Sequence, residues 1–212
     1  MSNRGIFITF EGGEGCGKTS QISLLAEFLR KKGRECLLVR EPGGTAISEK
    51  IRNLLLHEKA GQNMSAKTEM LLFAASRAQL VDEKIRPALR EGKIVISDRF
   101  VDSTFAYQGA ARSLGFESAK TANQIAIGEC MPDLTFLLDL DARLGLARAG
   151  KRDEGGADRM GSQKIEFYEK VRKEYLRLAG ENPERFAVID ASKSIPEVAV
   201  QISKIAEEKL NV

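Results

Sequence analysis

Five short apolar runs punctuate the chain: Ile6–Phe10, Cys36–Arg40, Ile94–Ser97, Leu134–Leu140 and Phe186–Ile189. Longer segments of helical period separate them, and this alternation predicts an α/β fold with a mostly parallel sheet covered by helices. Between the first two runs, Ile22, Leu25, Ala26 and Leu29 recur at i, i+3, i+4 and i+7, and Gly33 follows two lysines as a stop signal. The longest periodic stretch, Ala66–Arg90, sets Phe73, Leu80 and Ile85 broadly on one side, with Pro87 expected to kink or loosen its last turn. A C-terminal helix is predicted over Ile195–Leu210 from the repeat of Val198, Ile202 and Ile205. One segment breaks the pattern: from Arg148 to Arg159 the chain is polar, glycine-rich and dense in charge, which predicts a mobile surface excursion between helical segments.

There is no internal repeat and no low-complexity linker, so the 212 residues are expected to form a single domain, 1–212. With 42% hydrophobic and 30% charged residues the chain can bury a sizeable core. Its 33 basic and 30 acidic residues leave a net charge of +3, too even for nucleic-acid wrapping or polybasic membrane anchoring as the main business. An anionic ligand therefore needs a local cluster. No window approaches the roughly 18–20 apolar residues needed to span a bilayer, and the start runs into a strand without a signal peptide's apolar core, so a cytoplasmic protein is expected. Cys16, Cys36 and Cys130 are far apart and odd in number, which argues for reduced thiols over a disulfide framework or a zinc site. The single histidine, His57, reads as a helix-end residue.

Directly after the first strand stands Gly12-Gly13-Glu14-Gly15-Cys16-Gly17-Lys18-Thr19, a full match to G-x-x-x-x-G-K-[ST] placed between a strand and an amphipathic helix. Glycines let successive N–H groups curl inward onto phosphate oxygens, and the positive end of the following helix adds to that field. Lys18 is expected to bridge the outer phosphates and Thr19 to ligate Mg²⁺, with the flanking Glu11 and Ser20 counted among the ATP-binding residues. The dinucleotide pattern G-x-G-x-x-G fails, because Lys18 stands where its last glycine belongs. Cys16, near a helix N-terminus, is either an oxidisable thiol or a small space-filling residue. The third run ends in Asp98-Arg99, an acid and a base at the carboxyl edge of the sheet, where open α/β folds bind ligands. Asp98 can hold a magnesium-bound water, and Arg99 can grip a phosphate.

A P-loop alone leaves kinases, GTPase switches, motors and transporters open, and the acceptor side has to decide. Phe7–Thr19, Arg40-Glu41-Pro42-Gly43-Gly44-Thr45, Leu72–Gln79 and Ser97–Gln108 together resemble the thymidylate kinase family, in its order and at its spacing. The resemblance runs from Ile6 to the C-terminal helix. It implies a P-loop nucleoside-monophosphate-kinase fold, three layers around a five-stranded parallel sheet, with a lid at about 148–160 and a homodimer. The implied reaction is transfer of the γ-phosphoryl group of ATP to dTMP with Mg²⁺, giving dTDP and ADP. Phe73 matches the aromatic that stacks on thymine, Arg77 the arginine that reaches the base edge, and Thr104 the polar residue facing the ring. Tyr107 matches the ring that crowds the sugar's 2′ position, Glu14 the acid that binds the 3′-hydroxyl, and Arg99 the arginine on the acceptor phosphate. Pro42 shapes the sugar pocket, and Arg40, Ser103 and Gln108 lie in the same matched motifs. Ala191-Ser192-Lys193 resembles the loop beside the donor adenine.

In that family the arginine meeting the transferred group comes from the P-loop or from the lid. Here Gly15 and Cys16 stand where the first type has a basic residue, whereas the lid carries Arg148, Lys151, Arg152 and Arg159, so the chain resembles the bacterial, lid-supplied type. Arg152 is the expected arginine finger and Arg148 the second choice, also placed among the ATP contacts; the segment, with Glu154-Gly155-Gly156, is longer than the commoner lid. The nearest rival is another small P-loop kinase acting on a different nucleotide or a deoxynucleoside. A guanine-reading switch would carry N-K-x-D, and none is present. Asp139 and Asp141 are read as strand-end caps and not as a second magnesium site.

Overall fold

The computed structural model describes residues 4–58, 61, 63–150, 160, 161 and 163–210. Strands β1 (Ile6–Glu11), β2 (Cys36–Arg40), β3 (Ile94–Asp98), β4 (Leu134–Asp139) and β5 (Phe186–Asp190) form one parallel sheet in the order β2-β3-β1-β4-β5. Ile8 lies beside Ile96 on one side and Leu134 on the other, so the most apolar runs occupy the centre. The edge strands β2 and β5 leave Leu38 and Val188 exposed. β1, β3 and β5 each run one residue beyond the predicted apolar segment, to Glu11, Asp98 and Asp190, because those carboxylate residues still sit opposite Leu137, Phe10 and Asp139 in the ladder. β4 stops one residue short of Leu140, where the chain turns into α7 (Ala142–Gly150).

On one face, α1 (Lys18–Lys31) and α9 (Ile195–Leu210) pack Ile22, Leu25, Leu29, Val198 and Ile202 against Phe10, Phe136 and Ile189. Ile205 is only half-buried, and Ala206 takes the innermost position of that turn. On the other face lie α2 (Ala46–Leu56), α3 (Ala66–Leu80), α6 (Phe116–Ile127) and α8 (Ile165–Glu181). His57 caps the C-terminal end of α2, as its place in the sequence predicts.

The periodic stretch Ala66–Arg90 is helical throughout, and the loosening expected at Pro87 takes the form of a π-helical turn just before it. α3 ends at Leu80, a π-helical turn spans Val81–Ile85, and α4 (Arg86–Arg90) follows. Pro87 has no N–H to give the carbonyl of Glu83, and the turn before it widens. Leu80 and Ile85 reach the core, but Phe73 does not join them: it is half-buried and faces the cavity described below. A second π-helical run, Thr104–Ala111, continues the short α5 (Val101–Ser103). β1 sits at the sheet's switch point, and its carboxyl end opens between β3 and β4, where ligands of such sheets bind.

Candidate active site

The loop between β1 and α1 is built to receive an anion. Thr45 caps α2 and Ser65 caps α3, each with a glutamate in the first turn, whereas α1 begins at Gly17 with no side-chain cap and no acid in its first turn. Its first N–H groups are left for a ligand. Lys18 Nζ arches back to donate to the carbonyls of Gly12 (3.2 Å) and Gly13 (3.0 Å). Cys16 is buried, and its thiol donates to Gly13 O at 3.1 Å, so it fills the inside of the loop. A Cβ on Gly15 would lie 2.0 Å from Gly145 O, and one on Gly145 would lie 2.3 Å from Glu14 O. The loop therefore presses backbone to backbone on α7, the helix that leads into the predicted lid. Gly145 is a close-approach position that periodicity does not reveal, since glycine in a helix carries no face.

A cavity of about 600 Å³ opens at the carboxyl edge of the sheet. Glu14–Thr19 form one side, and Arg40, Pro42, Phe73, Arg77, Asp98, Arg99, Ser103, Thr104, Tyr107 and Gln108 line the rest. Glu41 and Arg52, not singled out from the sequence, also line it, and Arg52 donates to Pro42 O at 2.8 Å. Arg40 lies at the rim, paired with Glu49 at 2.9 Å. Gln108 is buried and donates to Glu69.

Among the described residues, seven of those predicted from the sequence do not line this cavity. Glu11 is fully buried beneath the loop, Gly12 and Gly13 give their carbonyls to Lys18, and Ser20 is exposed on α1. Arg148 donates to the carbonyl of Ala191 at 3.0 Å, Ser192 bonds Asp190, and Lys193 is exposed, so these three gather at the β5–α9 turn. Lys151, Arg152 and Arg159 lie outside the described residues. The expectation for the two aspartates after β4 divides. Asp141 does cap α7, accepting from the N–H groups of Arg143 and Leu144, but Asp139 forms a two-point ion pair with Arg172 at 2.7 and 2.9 Å.

Two arginines dominate the electrostatics. Arg77 donates from Nε to Glu41 (2.8 Å), from Nη1 to Thr104 and Asn123 (2.7 Å each) and from Nη2 to Phe100 O (3.0 Å), with a second approach to Glu41 at 2.6 Å. These contacts occupy the guanidinium's five donors. Burial pushes the Glu41 carboxyl upward, and the Arg77 charge opposes that shift. Thr104 accepts from Arg77, which leaves its own O–H for the cavity.

Arg99 has φ = 69°, a left-handed conformation uncommon outside glycine and costing on the order of 1 kcal/mol. Its guanidinium lies over the Tyr107 ring, 5.0 Å from the centroid, and donates to Glu14 at 2.8 Å. Tyr107 also donates to Glu14 (3.2 Å), and burial holds its phenol well above the ordinary range, so it stays a donor. Beneath it, burial and the neighbouring Asp102 raise Glu11 to about 7, against the pull of Arg99 and hydrogen bonds from Ser103 and Tyr175.

The model of the thymidylate kinase family matches residues 10–202, nearly the whole chain. The chain belongs to the thymidylate kinase family. The thymidylate kinase of Thermoanaerobacter sp. (strain X514) is 47% identical over 207 residues, covering 98% of this chain and all of that protein. That of Caldanaerobacter subterraneus subsp. tengcongensis is 48% identical over 208 residues, covering 98% and 97%. The crystal structure of thymidylate kinase from Ehrlichia chaffeensis superposes with a TM-score of 0.78 at 35% identity, covering 96% of this chain and 99% of that one. Family membership makes this an ATP-dependent nucleoside-monophosphate kinase and accounts for the cavity's two-sided construction. No helix among the described residues is long and apolar enough to cross a membrane.

Proposed function

We propose that the chain transfers the γ-phosphoryl group of ATP to dTMP, giving dTDP and ADP. The observation that carries this reading is the single cavity in which the P-loop faces Phe73, Thr104 and Tyr107. In that space the donor phosphates would meet a nucleoside monophosphate beside Arg99. Phe73 offers its ring to the base, Thr104 donates its hydroxyl to a base carbonyl, and Arg77 fixes Thr104 at the base edge. Tyr107 leaves no room for a 2′-hydroxyl, and Glu14 accepts from the 3′-hydroxyl. Pro42 and Arg40 close the sugar side, with Ser103 and Gln108 on the same wall.

The acceptor's phosphate oxygens are ionised at neutral pH, so the protein has to align reactants and neutralise spreading charge more than remove a proton. Lys18 and the α1 N–H groups hold the donor phosphates, and Arg99 holds the acceptor phosphate in line. Thr19 and Asp98, a hydroxyl and a carboxylate on one cavity wall, are the hard oxygen donors that suit Mg²⁺, which when bound screens the phosphate charges. The segment at about 148–160 acts as the lid over a single domain. Arg148 is already fastened to Ala191 on the donor side, which supports Arg152 as the arginine finger. The assembly is a homodimer in the cytoplasm; Ile47, Leu71 and Ile125, exposed on α2, α3 and α6, of which α3 packs with each of the other two, support the dimer.

Continuous measurement of ADP release from ATP–Mg²⁺ tests the reading, with dTMP, its 2′-hydroxyl analogue, dCMP, AMP and no acceptor compared in parallel. Turnover with dTMP well above the rest is expected, and equal rates without acceptor would overturn it. Arg152→Ala should lower kcat by about 10³–10⁵ while leaving the melting temperature unchanged.

A further inference from the structure

Glu11, the last residue of β1, is fully buried and touches Arg99's surroundings on two sides. On the backbone side, the left-handed Arg99 gives its N–H to Phe10 O at 2.9 Å, and the next N–H, that of Phe100, goes to Glu11 Oε1 at 2.7 Å. On the side-chain side, Glu11 Oε2 accepts from the hydroxyls of Ser103 and Tyr175, each at 2.7 Å. Those same two oxygens stand 3.5 and 3.4 Å from Arg99 Nη1. The two hydroxyls also lie 2.8 Å from each other, so they form one network with Glu11, and in its ionised form the carboxylate only accepts from them and draws their protons away from the guanidinium.

We infer that Glu11 is a positioning residue for Arg99, holding its turn through Phe100 and setting the polarity of Ser103 and Tyr175 so that they receive its guanidinium. The inference rests on the reading of Arg99 as the acceptor-phosphate arginine. It moves Glu11 from the donor side, where its place next to the P-loop put it, to the acceptor side. Tyr175 comes from α8, which follows the lid, so three separate parts of the chain meet on this one carboxylate. Asp102 lies near enough for its charge to act on Glu11, but its oxygens are taken by a two-point pair with Arg185 (2.7 and 2.8 Å), leaving Glu11 as the acceptor for Phe100, Ser103 and Tyr175.

Glu11→Gln separates positioning from packing. Glutamine has the same shape and keeps a carbonyl for Phe100, but its amide donates into the Ser103–Tyr175 network and turns hydroxyl protons toward Arg99. KM for dTMP should rise about tenfold and kcat fall about tenfold, with KM for ATP within twofold and the melting temperature held, as for one lost hydrogen bond to a charged group. Tyr175→Phe, which keeps the ring, should shift the dTMP parameters the same way by about threefold. Acceptor and donor parameters all within twofold of wild type, or both substrates affected alike with a fall in melting temperature, would overturn the inference. Were the wild type to ignore dTMP and phosphorylate another nucleoside monophosphate, the dTMP reading would fail while the same comparison on that acceptor still tested Glu11. A crystal structure of Glu11→Gln gives a readout independent of turnover: Arg99 displaced from Glu14 is expected, and Arg99 unmoved is the contrary result.

Discussion

Arg77 and Arg99 line the same cavity and carry the same head group, yet they are held in contrasting ways. Arg77 is 2% exposed and its ion-pair partner Glu41 3%, with its donors directed at fixed protein oxygens. Arg99 and Glu14 are 18% and 33% exposed, and apart from that pair the Arg99 guanidinium makes only longer hydrogen bonds, at 3.1 to 3.5 Å. The first is a framework element that shapes the base end of the cavity; the second is a ligand group whose strained backbone is fixed while its charge stays available. A buried ion pair gives geometry, because its partners cannot be exchanged without leaving a charge stranded. A partly exposed one can release a partner to a phosphate.

That contrast breaks most readily at Arg77. Arg77→Ala strands Glu41 in the interior and should cost about 3–5 kcal/mol in urea unfolding, with much of it recovered when Glu41→Ala is added. A loss below about 1 kcal/mol would mean the pair is not structural. Arg99→Ala should reverse the pattern: kcat/KM for dTMP falls by about 10²–10³, as for loss of one positioned charge-stabilising donor, while unfolding free energy moves by less than about 1 kcal/mol. Steady-state kinetics and denaturation on the same preparation decide this, and a stability loss as large as that of Arg77→Ala would merge the two classes. The smallest effect belongs to Arg172, whose pair with Asp139 is 38% and 23% exposed. Arg172→Ala should change stability by less than about 1 kcal/mol and leave the dTMP parameters alone.

Much of the site was legible before folding because phosphate chemistry is local. A loop that offers N–H groups needs glycines beside one another, so Gly12–Thr19 reads directly, and Asp98-Arg99 follows from ending a buried strand with charge. Phe73 was harder, since an aromatic at helical spacing is ordinarily core; it is half-buried at the edge of the cluster that holds Leu55, Tyr107 and Tyr175, and from there it lines the cavity. Glu41 stood inside a matched motif without being singled out, and Arg52, Asn123 and Gly145 carried no signal of period or motif. Each matters through a partner more than 10 residues away in the chain or on a separate element, such as Asn123 to Arg77 or Gly145 against Glu14.

The sequence by itself determined the elements and the phosphate loop, because hydrophobic period and backbone freedom are properties of neighbouring residues. It also determined the family, through motifs whose order survives in the chain. Only the tertiary structure decided which of the 30 acidic residues answers each buried arginine, since desolvated charge is balanced by whatever the fold brings within hydrogen-bond reach. Glu41 answers Arg77, Asp102 answers Arg185, and Glu11, adjoining the P-loop in sequence, lies beneath the arginine that faces the acceptor.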